Sequence, residues 1–159
     1  MYKNIIKITF ISFLLIFMFS MKGYSQATTD FVFVESTVED IQTLQQQFAN
    51  NSQVYFNSNP KPALYVCGQM TDGQTVNHLF IYVPTEPGVL KFGSGDVSSS
   101  NLDEYANDLA LLTEHVNGSI IIRSGDIFSG SAGESLKGKL EALIGLPVIM
   151  ENNPQPFSN

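Results

Sequence analysis

His78-Leu79-Phe80-Ile81-Tyr82-Val83, running into Pro84-Thr85-Glu86-Pro87-Gly88, is the stretch that decides the fold. It is apolar almost without a break, as a strand must be when both faces of its sheet are covered. Ser119-Ile120-Ile121-Ile122 repeats the pattern and runs into Arg123-Ser124-Gly125-Asp126. In an open α/β sheet, ligands bind outside the carboxyl ends of the strands, so these two loops mark the expected working edge. Thr85, Glu86, Arg123, Ser124 and Asp126, with Ser129 just beyond, are the candidate binding residues. Neither loop carries a His, a Cys or a metal-binding cluster, so no catalytic residue, metal or cofactor is expected there.

The rest of the chain alternates between the two periodicities. Phe31 to Val34 is apolar on both alternations and reads as a buried strand. Ser36 and Glu39 have the spacing of a capping box, and Val38, Ile41, Leu44 and Phe48 continue as a helical stripe. Asn50-Asn51 ends that helix, and Gln53 to Phe56 returns as a strand, giving a β-α-β unit. Asn57 to Pro62 is a loop, Ala63 to Met70 fits either a helix or a strand, and Thr71-Asp72-Gly73 is a turn. Val89 to Phe92 reads as a hairpin return, followed by a Gly/Ser loop from Gly93 to Ser100.

From Asn101, the residues Leu102, Tyr105, Ala106, Leu109 and Leu112 form a stripe that Asn117-Gly118 closes. Ser129 to Gly133 is a small-residue loop, with a second capping-box spacing at Ser131 and Glu134. It lacks the Gly-Lys-Ser/Thr ending of a phosphate loop, so it reads as a helix cap and not as an anion site. Leu136, Leu140, Leu143 and Ile144 make the last amphipathic helix, stopped by Gly145, and Pro147 to Met150 is a final strand. Near-continuously apolar strands alternating with helices predict a three-layer α-β-α domain on a mostly parallel sheet.

Residues 1–25 are set apart as a signal peptide, with Lys3 and Lys7 ahead of the apolar run Ile8 to Phe19 and small residues before Gln26. That run is short for a bilayer span, which needs about 20 residues, so no stable span is expected after cleavage. The expectation is an exported chain, periplasmic or extracellular, with one domain over residues 30–150 and a flexible tail over 151–159. Beyond the leader, 5 basic residues face 15 acidic ones, a formal charge of −10. Nucleic acid and anionic membrane surfaces are thereby disfavoured, since both are bound through clustered Lys and Arg. The single cysteine, Cys67, precludes an internal disulfide and, flanked by Leu64, Tyr65 and Val66, reads as a buried thiol.

Laid out in this order, several stretches resemble a bacterial domain-of-unknown-function family, number 4347, of caspase-like character. They are Phe33-Val34-Glu35-Ser36 with Val38-Glu39-Asp40, and Glu86 to Ser94 with Asn101-Leu102-Asp103-Glu104-Tyr105-Ala106. They continue through Ser124 to Gly133 and Ile144-Gly145-Leu146-Pro147-Val148, so the resemblance spans about residues 31–150. It implies a caspase-like fold of a type found near the N-terminus of large surface adhesins. The family pattern places Ser-His-Gly after the central strand and Gly-Cys after the next, where a His would assist a thiolate nucleophile. Here Val83-Pro84-Thr85 and Ser124-Gly125 stand in those places, so Pro84 occupies the His position and Gly125 the Cys position. Neither residue can accept a proton or attack a carbonyl.

Two readings follow. One is a non-catalytic caspase-like domain, a pseudoenzyme that binds a peptide or an envelope or surface protein. The other is a hydrolase using Cys67, or an acid/base or cation site at Glu86 and Asp126. Against the second, Cys67 and His78 come in the reverse of the caspase-like order, with His78 at the start of its strand, away from the working edge. His115 reads as a complement to a helix dipole.

Overall fold

The apolar runs assemble into one five-stranded, wholly parallel sheet. The computed structural model describes residues 29–71, 73, 76–123, 125–152 and 156. The expected signal peptide, Ser124 and most of the expected tail therefore lie outside the described residues. The strands of this sheet are β1 (Thr29–Glu35), β2 (Val54–Asn57), β3 (Val76–Tyr82), β7 (Val116–Arg123) and β8 (Val148–Glu151), and they lie in the order β2-β1-β3-β7-β8. Helices α1 (Ile41–Gln47), α2 (Ala63–Thr71), α3 (Ala106–His115) and α4 (Gly130–Ile144) cover it, and a 3₁₀ turn, Leu102–Tyr105, leads into α3.

Strand alternation sorts the core into two layers. Phe31, Phe33, Leu79, Ile81, Ile120 and Ile122 face α2, α3 and α4, with Leu64, Leu109, Leu112, Leu136 and Leu140 packed among them. Val32, Val34, Phe80, Tyr82 and Ile121 face the other way, against Leu44 and Phe48 of α1. Each of these side chains contributes about 1.5–3 kcal/mol on burial, so both faces are held by the hydrophobic effect. The expected α-β-α layering on a mostly parallel sheet is what the chain adopts. The ambiguous stretch from Ala63 is a helix, apolar nearly all round because Ala63, Leu64, Val66 and Cys67 are all buried.

Several local expectations are corrected. Neither capping box forms. Ser36 turns its backbone N–H to Glu35 Oε1 (3.2 Å), and α1 starts later, after Asp40, with no side-chain cap. α4 begins at Gly130, so Ser131 lies inside its first turn and not before it. The Gly/Ser loop after Phe92 contains a strand, β6 (Gly95–Ser98), which joins β4 (Thr85–Glu86) and β5 (Val89–Phe92) in a small antiparallel sheet. Val97 is its only large apolar residue and is buried in the main core.

Asn117-Gly118 does not close a helix, since α3 stops at His115 and both residues belong to β7. Gly118 is required there by close approach. A Cβ at this position would run into the Asn77 carbonyl oxygen and sit 2.9 Å from the His78 ring. At the far end, β8 extends through Glu151, one residue into the expected tail.

Candidate functional site

The strand order itself creates a crevice. From β1 the chain passes through α1 to β2 on one side, while β3, on the other side of β1, leads towards β7 and β8. Loops leaving neighbouring strands in such an arrangement diverge, and open α/β sheets bind ligands at that switch point. At the carboxyl edge Val34 is paired with Tyr82, and Tyr82 with Arg123, so β1, β3 and β7 end level with one another. Just beyond lies a cleft of about 400 Å³, lined by Val38, Glu39, Asp40, Val83, Pro84, Thr85, Arg123, Gly125 and Asn152.

One ion pair organises the cleft wall. Arg123, the last residue of β7, donates from Nη1 to Asp40 Oδ1 (2.9 Å) and from Nη2 to Asp40 Oδ2 (2.7 Å). This is the two-pronged geometry that a guanidinium offers a carboxylate. The guanidinium also lies over the Tyr82 ring, 5.2 Å from its centre, a cation–π contact that orients it from below. The Arg123 hydrogen bonds hold the Asp40 carboxyl below its usual range, and Asp40 in turn raises the pKa of Arg123. Burial pushes the Tyr82 phenol up to about 12, so it remains protonated at neutral pH.

The loop bearing Asp40 is fixed at its root. Glu35 is buried at the end of β1, accepting from Asn57 Nδ2 (3.0 Å), while the Ser36 N–H donates to the Asn57 carbonyl (3.0 Å). These bonds tie the start of the loop to β2. The loop from Val38 to Asp40 then projects beyond the sheet and forms one wall of the cleft.

The residues anticipated from sequence divide. Thr85 and Arg123 line the cleft, as do Pro84 and Gly125. Glu86, Asp126 and Ser129 do not. Glu86 points to Lys91 across the β4–β5 hairpin (3.2 Å), and Lys91 also holds Asp96 (2.9 Å), so its carboxylate is engaged in a local ion pair. The Asp126 carbonyl accepts from the Ser129 N–H (2.8 Å), a tight turn that leads into α4. No group of three or more His, Cys, Asp or Glu positioned to hold a metal occurs among the described residues.

Cys67 and His78 have other surroundings. Cys67 sits in the core on α2, 1% exposed, and burial drives its thiol pKa far above the ordinary value, away from the thiolate needed for attack. His78 Nδ1 lies 2.8 Å from Ser119 Oγ, on the part of the sheet remote from the cleft. A Ser–His contact is suggestive in isolation, but Ser119 is 4% exposed and neither residue lines the cleft.

Asp40, Glu39, Val38 and Asn152 are the cleft residues that sequence reasoning passed over. Asp40 meets its partner across 83 positions of sequence, with no local pattern to announce it. Asn152 follows β8, which runs one residue past its expected end at Met150.

Comparison with known families now bears on this arrangement. Residues 31–155 match the family model described as Domain of unknown function (DUF4347). The chain belongs to that family. Neither the curated proteins nor the solved structures gave a match. The DUF4347 match takes in every strand of the main sheet from Phe31 onward and every residue lining the cleft. Among the described residues, no helix is long and apolar enough to cross a membrane.

Proposed function

We propose that this chain is an exported, non-catalytic domain of caspase-like character whose strand-end cleft binds a peptide segment of an envelope or surface protein. The observation that carries the reading is the position of Pro84 and Gly125. These two residues stand at the His and Cys positions of the resemblance, and both line the same cleft. A catalytic dyad would require a base and a nucleophile at those two places. A proline and a glycine supply walls and space instead. The remaining described lining combines apolar groups (Val38, Val83) with polar ones (Glu39, Thr85, Asn152, the Arg123–Asp40 pair), the mixture by which ligand pockets bury and orient what they hold.

The experiment is a selection of displayed random peptides on the mature domain, followed by binding to a Gly125→Trp variant. Gly125 lines the cleft, and a Cβ there meets nothing within 4 Å, so the position accepts a side chain at the cleft without a clash at the Cβ. Selected peptides should bind the parent chain and lose at least tenfold in affinity for the variant, with unchanged circular dichroism. Peptides that bind both proteins equally would place the binding surface elsewhere.

A further inference from the structure

Resting on the cleft reading, we infer that Arg123 is the anchor for a carboxylate of the bound peptide, and that Asp40 is an internal occupant that the ligand must displace. Three features of the geometry point this way. First, the orientation of the guanidinium does not depend on Asp40 alone, because Tyr82 supports its face from within the sheet. Such a fork is prearranged, and a prearranged donor binds an arriving carboxylate with little ordering cost. Second, both prongs of the fork are taken by one carboxylate, at 2.9 and 2.7 Å, in the arrangement an external carboxylate would adopt. Third, the pair stands on the cleft wall and is half-open to solvent, with side chains 26% and 39% exposed, so exchange requires no dismantling of the core.

The element carrying Asp40 suits displacement. Asp40 immediately precedes α1, a helix of seven residues that no side chain caps. An Asp in this position ordinarily bonds the free N–H groups of its own helix. Here the carboxylate reaches Arg123 instead, and it is held by nothing stronger than a part-exposed ion pair. Such pairs contribute little, so a ligand that repeats the two hydrogen bonds and adds apolar contact with Val38, Val83 and Pro84 competes with it. Open, the pair exposes the one cation among the described lining residues.

The test uses three short alanine peptides on the isotope-labelled full mature chain, followed by chemical shifts. One ends in a free carboxylate, one is amidated, and one is amidated with an internal aspartate. The carboxylate peptides should bind more tightly than the amide, and the more strongly favoured of the two identifies a chain end or an acidic side chain as the recognised group. Asp40→Asn should tighten the favoured acid by about fivefold relative to the plain amide, the order expected when a competing part-exposed ion pair is removed. Arg123→Gln should erase the preference for acids. Acid and amide peptides binding alike, with both still sensitive to Gly125→Trp, would overturn this inference and leave the cleft reading standing. Binding that ignores Gly125→Trp, or is absent with all three peptides, would overturn both.

Discussion

Replacing Gly133 by alanine sets two general rules against each other. Gly133 lies in the first turns of α4, where Gly→Ala ordinarily stabilises a helix by about 1 kcal/mol through the lost freedom of glycine. The packing opposes this. A Cβ at Gly133 would collide with the Cα and carbonyl carbon of Phe128 and stand 2.6 Å from the Ile127 carbonyl oxygen. All three are backbone atoms of the loop from β7 to α4, so no rotamer change can relieve them. That loop is also bonded on its other side, where the Gly88 N–H donates to the Ile127 carbonyl (2.7 Å). Overpacking of this kind costs about 1–3 kcal/mol, and rigid backbone contacts this short select the upper end, so the net expectation is a loss of about 2 kcal/mol.

Gly138, on the exposed face of the same helix, is the control, since a Cβ there meets nothing within 4 Å. Gly138→Ala should gain up to about 1 kcal/mol. The chain has no tryptophan, so urea titrations would be followed by far-ultraviolet circular dichroism. The two midpoints should move in opposite directions. A Gly133→Ala protein as stable as its parent would refute the close approach of α4 to the loop that leads out of the cleft.

Two further expectations follow. The Arg123 hydrogen bonds lower the Asp40 pKa, so the unfolded chain takes up this proton at higher pH than the folded one. Stability from the pair is therefore complete above the ordinary carboxylate range and is lost as pH falls through Asp40's lowered value. The Asp40→Asn variant should lack that part of the acid slope, and at pH 7 the half-exposed pair should account for no more than about 1 kcal/mol. Cys67, with its thiol pKa raised by burial, should resist a disulfide reagent at pH 8 in the native chain and react fully in denaturant. Rapid native labelling would place the thiol at an accessible surface instead.

Much of the fold was legible because it is written in local pattern. Phe31 to Val34, His78 to Val83 and Ser119 to Ile122 alternate between two covered faces, and Leu136, Leu140 and Ile144 repeat at helical spacing. What escaped depends on partners. β6 has a single large apolar residue, Val97, and forms because β5 offers it hydrogen-bonding neighbours. Asn117-Gly118 has the composition of a helix stop, yet the glycine is there to let His78 and Asn77 come close. The capping boxes had the right spacing but lacked the helix starts they required. The site divides in the same way. Sheet topology alone locates the edge where Pro84, Thr85, Arg123 and Gly125 meet, whereas the pairing of Asp40 with Arg123 is a contact distant in sequence.

Chemical-shift mapping of a selected peptide on the labelled chain reports which residues the ligand touches. A peptide seated in the cleft should perturb the amides of Val38–Asp40, Val83, Thr85, Gly125 and Asn152, leave Cys67 and His78 unchanged and be recovered intact. Perturbations centred on Cys67 and His78, or a peptide recovered cleaved, would contradict the cleft reading.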